Sequence, residues 1–216
     1  MEIVERLDRA RASVNVLEHS FYQRWNAGEL SRGELAVYAG EYRRAVLALA
    51  EASARAAAQA PPEERAGLLR HALEERDHVS LWDAFAHSAG ADSERAPEAL
   101  PETDACVQAW TAGDDLLEQL AVLYVLEAGQ PQISRTKLEG LSAHYGYSPE
   151  GPATEYFTLH ERLDVEHSRQ AAELIARLMA EVEDPEEQAE RMLERAHAAL
   201  RGNWRLLDGV EARARA

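Results

Sequence analysis

Apolar residues recur every three or four positions along most of the chain, which is the period of an amphipathic helix. Proline and glycine interrupt the pattern, and Pro131 in "GQP" predicts a helix end because it lacks an amide hydrogen. The longest interruption, "SAGADSERAPEALPETDA", is polar and too short to separate two domains. Seven helical segments are predicted: residues 3–25 with a bend near "HSFYQRW", 34–58, 63–88, 104–127, 133–145, 154–182 and 185–211.

The composition agrees with a helical fold. Alanine, leucine, glutamate and arginine dominate the 216 residues, while glycine, proline and β-branched residues are sparse. This balance favours helix nearly everywhere. We therefore expect an all-α protein that forms a single domain over residues 1–216.

The charge restricts the classes of partner. Asp and Glu number 39 against 23 Lys and Arg, a formal net charge of −16 that would repel a phosphate backbone and an anionic membrane. The single cysteine, Cys106, cannot form an internal disulfide, and the sequence contains neither a signal-peptide pattern nor about 20 consecutive apolar residues. We expect a cytoplasmic protein that binds neither nucleic acid nor membrane.

Candidate metal ligands cluster in "HERLDVEH", residues 160–167. At 100° per residue, Asp164 lies about 40° from His160 and His167 about 20° on its other side, so the three side chains share one stripe of a helix. The alternative interpretation is a solvated face with two incidental histidines. Three ligand-type residues on one stripe favour a metal site, for which other helices would supply the complement.

Two other predicted helices offer that complement. In "HALEERDHVSLW", Glu75 is three residues before His78 and Glu74 is four, so either glutamate could share a side with the histidine. Glu127 interrupts the apolar run "AVLYVLEAGQP", where burying a lone carboxylate is costly unless a cation meets it. The alternative for Glu127 is a helix-end residue that reaches solvent.

These residues together fit a dinuclear iron or manganese site. Such a site uses imidazole nitrogens and bridging carboxylates presented from facing helices. Two divalent ions and three carboxylates would leave about one positive charge, with open positions for dioxygen. The candidate ligands are Glu75, His78, Glu127, His160, Asp164 and His167.

The segments "AVLYVLEAGQPQISRTKLEGL" and "YFTLHERLDVEH" resemble the haem-oxygenase-like diiron oxidase superfamily. The opening segment "LEHSFYQRWNAGELSRGELAVYAGEY" resembles the CADD-type branch, the self-sacrificing 4-aminobenzoate synthases, and "SLWDAFAHSAG" also fits. The likeness spans about residues 17–175. It implies a seven-helix bundle of the TenA- and PqqC-like type that holds two metal ions, Fe/Fe or Fe/Mn.

The resemblance also implies a chemistry. In the CADD-type branch a tyrosine of the enzyme is excised to form the ring of 4-aminobenzoate, a folate precursor, and a lysine donates the amino nitrogen. The matching residues are Tyr22 and Lys137, with dioxygen as co-substrate, an external reductant or reductant partner, and a homodimer as the expected assembly. Lys137 is the only lysine beside 22 arginines. Without the resemblance, Tyr22 would be read as a core residue and Lys137 as a solvated one.

Departures from the pattern leave alternatives open. The glutamate and histidine of the third predicted helix are closer together than in the family, a spacing also found in relatives that oxidise external substrates. Leu126 stands where the branch has a tyrosine. If that tyrosine relays electrons or radicals, Tyr124, Tyr38 or Tyr42 would have to compensate. The alternatives are an oxidase of an external small molecule and a metal-free binding or regulatory bundle. A thiaminase-like enzyme, with Cys106 as its only candidate nucleophile, fits less well.

Overall fold

The computed structural model describes residues 2–91 and 98–215, and within these residues the secondary structure is entirely helical. The predicted all-α class is therefore confirmed. The α-helices are α1 Ile3–Ser13, α2 Ser20–Ala27, α3 Arg32–Gln59, α4 Pro62–Ser88, α5 Pro101–Trp110, α6 Leu116–Glu127, α7 Gln130–His144, α8 Glu155–Met179 and α9 Pro185–Arg215. None of the helices in these two stretches combines the length and apolar character needed to cross a lipid bilayer.

The prediction of one helix over residues 3–25 was wrong, because the chain breaks between α1 and α2. Asn15 caps a short 3-10 helix, Val16–Glu18, by accepting a hydrogen bond from the Leu17 amide. His19 then caps α2 by accepting a bond from the Phe21 amide. These local side-chain bonds compete with helix continuation, as is typical of capping residues.

The prediction of one helix over residues 104–127 was also wrong. Gly113 has φ +139°, a conformation that L side chains rarely adopt, and it ends the continuity between α5 and α6. Asp115 starts α6 by accepting a bond from the Glu118 amide. The predicted end at "GQP" is confirmed, since Pro131 lies in the first turn of α7. The middle of the long predicted loop, residues 92–97, lies outside the described residues.

The centre of the bundle is formed mainly by α8 and the helices packed beside it. α8 packs on α4, α6 and α7, while α3 packs along α4. One apolar cluster beside them is unusually aromatic and includes Tyr22, Trp25, Tyr38 and Trp82. A second apolar cluster joins α1, α6, α8 and α9. The polar residues of α4, α6 and α8 therefore meet between two apolar regions.

A glycine allows α7 to approach α2 closely. A Cβ added to Gly140 would lie 2.6 Å from Nε1 of Trp25, closer than real Cβ contacts allow. The Trp25 indole donates a hydrogen bond of 3.2 Å to the backbone carbonyl of Lys137, one turn away on α7. The small residue at 140 thus fixes the position of Lys137 relative to α2.

Candidate metal centre

Three helices bring seven candidate ligands together. α4 supplies three, α6 supplies one at its last residue, and α8 supplies three. Their side chains are 1–15% exposed, so they face the interior and not bulk water. The seven residues are His71, Glu75, His78, Glu127, His160, Asp164 and His167.

Glu75 lies at the centre of this group. Its Oε1 atom is 3.7 Å from Nε2 of His71 and 3.3 Å from Nδ1 of His78. Its Oε2 atom is 3.9 Å from Nε2 of His160. Glu75 belongs to two groups of potential ligand atoms, one with His71 and His167 and one with His78 and His160. A carboxylate shared in this way is suited to bridge two cations.

The remaining two carboxylates flank these groups. Glu127 places Oε1 3.1 Å from Nε2 of His71, which joins the end of α6 to α4. Asp164 places Oδ1 3.4 Å from Nδ1 of His167, within α8. Each group of ligand atoms therefore has a further acid beside it.

The ligand atoms approach one another without forming hydrogen bonds. Buried atoms without a partner occur on all seven residues, including both oxygens of Glu127 and of Asp164. Unpaired buried polar atoms are costly, so a cluster of them calls for an unseen partner. Imidazole and carboxylate atoms about 3–4 Å apart are spaced as neighbouring ligands about 2.0–2.2 Å from one metal ion would be. The residues present therefore fit metal ions.

A hydrogen bond outside the cluster sets the orientation of His160. Its Nδ1 atom is 2.7 Å from the backbone carbonyl of Tyr156, which acts as the acceptor and leaves Nε2 facing Glu75. The Tyr156 ring stacks on the imidazole at 4.0 Å between ring centroids. Fixing one ring nitrogen on a carbonyl is the usual way a protein prepares the other nitrogen for a metal.

Burial and neighbouring charges shift the pKa values of the site residues in opposite directions. Burial lowers the pKa of His71, but the neighbouring carboxylates of Glu127 and Glu75 outweigh burial and raise it to about 9. Burial raises the pKa of Glu75, but the adjacent His160 and His78 rings bring it below its usual range. Without metal, His71 thus keeps a proton beside the carboxylates near neutral pH, and metal binding would displace that proton.

The geometry favours Glu75 over Glu74, the alternative that the sequence left open. Glu74 is 40% exposed and receives a hydrogen bond of 3.2 Å from Nε2 of His167 at the edge of the site. Sequence reasoning missed His71, which contacts both Glu75 and Glu127. Its signal was available, because His71 lies four residues before Glu75 and seven before His78, on the same stripe of α4.

A cavity of about 250 Å³ leads from the surface to this cluster. His71, Glu127 and His167 form its inner end, and Glu64 and Arg177 lie in its lining. The Arg177 guanidinium donates a hydrogen bond of 2.6 Å to Glu64, which links α8 to α4. This opening gives small molecules a route to the candidate ligands.

The two residues implied as reactants, Tyr22 and Lys137, also lie together, in the aromatic cluster. The Lys137 side chain is 1% exposed, and its Nζ atom is 5.7 Å from the ring centroid of Tyr22. The rings of Tyr38, Tyr42, Trp82 and Phe157 also lie around this amine, at 4.8–5.6 Å. Among the residues that the structure describes, none places a carboxylate within 4.0 Å of this amine.

Burial controls the protonation of both groups. It lowers the pKa of Lys137 to about 7, so a large fraction of the amine is uncharged near neutral pH. It raises the pKa of Tyr22, so the phenol keeps its proton. The Tyr22 hydroxyl is 3.4 Å from that of Tyr38. The pair therefore consists of an amine that is partly unprotonated near neutral pH and a neutral phenol.

A series of rings connects this pair to the candidate ligands. Trp82 packs on Tyr156 with 4.9 Å between centroids, and Tyr156 stacks on His160. Tyr38 and Tyr42, two of the three tyrosines considered as substitutes for the one missing at position 126, belong to the same cluster. The third, Tyr124, instead donates a hydrogen bond of 3.0 Å to Asp8 and packs in the other apolar cluster.

Comparisons with known proteins identify the family and the fold. The family described as iron-containing redox enzymes matches residues 36–204. A 4-aminobenzoate synthase of Chlamydia trachomatis serovar D is 31% identical, over 96% of this chain and 91% of that protein. A 4-aminobenzoate synthase of Nitrosomonas europaea is 30% identical, over 95% of this chain and 89% of that protein. A TenA homologue from Pseudomonas syringae pv. tomato matches 97% of this chain and 93% of its own with a TM-score of 0.83 at 17% identity, which shows the shared fold.

The family match covers most of the chain, and both synthases exceed or reach 30% identity over nearly its whole length. The TenA-like fold expected from the sequence is confirmed. The protein is therefore an oxidoreductase that belongs to the haem-oxygenase-like family of iron-containing redox enzymes.

Proposed function

We propose that the protein makes 4-aminobenzoate from its own Tyr22, takes the amino nitrogen from Lys137, and uses dioxygen, an external electron donor and two metal ions. The observation that carries the proposal is the buried Lys137 amine 5.7 Å from the Tyr22 ring centroid. The relatives named 4-aminobenzoate synthase support the same product. One ring series, through Trp82 and Tyr156, leads from the amine to His160.

The residue types suit the product. The ring and Cβ of tyrosine together contain the carbon skeleton of 4-aminobenzoate, so release requires cleavage of the Cα–Cβ bond of Tyr22. The Lys137 nitrogen replaces the phenol oxygen, which leaves as water, and the Cε–Nζ bond of Lys137 breaks as Cε is oxidised to an aldehyde. Oxidation of Cβ to a carboxylate consumes dioxygen, and the external donor supplies the electrons that reduce the remaining oxygen to water. Each chain can therefore make one molecule of product. Arginine could not replace Lys137, because its guanidinium stays protonated.

The chain's own residues prepare this reaction. The aromatic cluster excludes water from Lys137 and keeps part of its amine unprotonated, as nucleophilic attack requires. The metal ions would be held by Glu75 and the six candidate ligands around it, and when bound they would supply the activation of dioxygen. The hydrogen bond that His160 donates to the backbone carbonyl of Tyr156 holds its Nε2 atom toward Glu75. Iron, or iron with manganese, suits this ligand set.

The single lysine permits a direct test. Protein carrying ring-labelled tyrosine and ε-¹⁵N-lysine is loaded with metal and exposed to dioxygen and reductant without added substrate. Because Lys137 is the only lysine, any ¹⁵N from an ε-amine in the product comes from one position. We expect doubly labelled 4-aminobenzoate, at no more than one molecule per chain, and peptide mass spectra that show changes at Tyr22 and Lys137 only.

Matched variants complete the test. Tyr22→Phe and Lys137→Met should abolish the product, whereas Tyr147→Phe, at a half-buried tyrosine outside the ring contacts of Lys137, should retain it. Unlabelled product, more than one molecule per chain or an active Tyr22→Phe variant would instead indicate oxidation of an external molecule. Metal analysis of the same sample tests the metal-free alternative, which requires well under one ion per chain.

A further inference from the structure

A second cavity, of about 190 Å³, lies beneath the segment that joins α1 to α2. Its walls come from that segment, from the junction of α6 and α7, and from α9. It shares no lining residue with the cavity that reaches the candidate metal ligands. Most of its lining is apolar, including Val16, Leu126 and Ile133.

Arg11 is the only charged residue in the described lining of this cavity. Its side chain is 34% exposed, and its nearest described acid, Asp8, is at the long distance of 3.5 Å. The Nε atom of Arg11 is buried and has no hydrogen-bond partner. In a chain with a net charge of −16, a cavity whose only charge is a cation is suited to a small anion.

Two amide side chains give the cavity a second polar end. Gln130 and Asn203 line it and are 4% and 7% exposed. The Oε1 atom of Gln130 and the Oδ1 atom of Asn203 are buried without a hydrogen-bond donor. Buried acceptors without donors are costly, which indicates a ligand that donates N–H or O–H bonds.

The cavity adjoins the proposed reaction site. Tyr42 lines the cavity, and its ring centroid is 4.8 Å from the Lys137 amine. Burial raises the pKa of Tyr42, although the side-chain amides of Gln130 and Asn203 beside it oppose the rise. One ring therefore separates the cavity from the amine that lies beside Tyr22.

The volume suits one substituted ring. A cavity of about 150 Å³ is enough to hold benzene. About 190 Å³ therefore accommodates a benzene ring with two small substituents. We propose that this cavity binds a small aromatic amino acid of the 4-aminobenzoate class, with its carboxylate at Arg11 and its amino group at the carbonyl oxygens of Gln130 and Asn203.

This inference rests on the proposed function, because it assigns the cavity to binding of the product, 4-aminobenzoate, before the product is released. The test is calorimetric titration of 4-aminobenzoate into the metal-loaded Tyr22→Phe protein, which cannot form its own product. Benzoate and aniline serve as the two half-ligands. We expect 4-aminobenzoate to bind more tightly than benzoate, and benzoate more tightly than aniline.

Variants locate the binding. Arg11→Gln should weaken 4-aminobenzoate binding by about tenfold or more, as loss of a charged hydrogen bond does. Leu126→Phe, which fills the cavity, should weaken it to a similar extent. Arg205→Gln, at an exposed arginine of α9 outside the lining, should leave the affinity unchanged. Melting curves verify that each variant is folded.

The outcomes separate this inference from the proposed function. Absence of binding at millimolar 4-aminobenzoate, or unchanged affinity in Arg11→Gln, overturns the cavity assignment even if the wild-type protein makes labelled product. Equal binding of aniline and 4-aminobenzoate overturns it too, because the arginine would then contribute nothing. If binding follows the expected order but no labelled product forms, the cavity assignment stands and the self-sacrificing reaction fails.

Discussion

Replacing Lys137 by methionine should change how the stability of the protein depends on pH. Methionine is similar to lysine in length but carries no charge, so it can occupy the aromatic cluster without desolvating an ammonium group. Lys137 is 1% exposed, and burial lowers its pKa from 10.5 to about 7. The two chains therefore differ by one buried group that titrates between the folded and unfolded states.

The size of the effect follows from linkage. At about 1.4 kcal/mol for each pH unit between the two pKa values, a protonated amine in the folded interior costs about 5 kcal/mol. Below pH 7 both states are protonated, so Lys137 destabilises the fold by the full amount. Between pH 7 and 10.5 only the unfolded chain binds the proton, and the stability of the wild-type protein rises with pH. From pH 7 to pH 9 the gain is about 2 kcal/mol.

Urea unfolding of oxygen-free, metal-stripped protein at pH 7, 8 and 9 measures this difference. Lys137→Met should be the more stable protein at pH 7, and its advantage over the wild type should shrink by about 2 kcal/mol at pH 9. Lys137→Arg is the control, because its guanidinium stays charged and its difference from Lys137→Met should not change with pH. A constant difference between wild type and Lys137→Met would show that the amine is hydrated or paired with an anion, and would refute the argument from burial.

Three further predictions concern the metal centre and the packing of α7. Glu75→Gln should reduce the metal content from about two ions per chain to well under one, whereas Glu74→Gln should retain most of it. The reason is that Glu75, and not Glu74, belongs to both groups of ligand atoms. Equal losses of metal in the two variants, measured by elemental analysis, would contradict the assignment. His71→Ala should leave about one ion per chain, because the group around His160 does not include it; an unchanged metal content would remove His71 from the ligand set. Gly140→Ala should lower the free energy of unfolding by about 1–3 kcal/mol through its clash with an indole ring. The matched Gly67→Ala, with nothing within 4 Å of the new Cβ, should raise it by about 0.5–1 kcal/mol; if both substitutions had the same sign, the close approach would not constrain the helix.

The sequence pattern predicted much of the fold because helices leave a local signal. Periodicity and the proline at 131 located the α6–α7 junction, and the start of the last helix was predicted at Pro185, where α9 begins. The errors fell where side chains compete with the backbone. Asn15 and His19 cap new helices, and Gly113 adopts a positive φ, so two predicted helices became four and a 3-10 turn.

For the candidate ligands, too, the sequence predicted what a local pattern marks and left open what depends on packing between helices. The stripe formed by His160, Asp164 and His167 follows from helical geometry, and these residues do face inward on α8. His71 lies on an equally clear stripe of α4, four residues before Glu75, but only the structure shows that Glu127 of α6 lies beside it. The choice between Glu74 and Glu75 likewise depended on which side of α4 faces α8.

The sequence by itself determined the helical class, the stripes of ligand-type residues, and the single lysine placed among arginines, because these depend only on residue type and on periods of a few residues. Only the tertiary structure decided that Glu75 lies between two groups of imidazoles, that Lys137 is enclosed by aromatic rings, and that Arg11, Gln130 and Asn203 border one cavity. Those relations join residues that are far apart in the chain. They are set by how helices pack, through long-range contacts that no local pattern encodes.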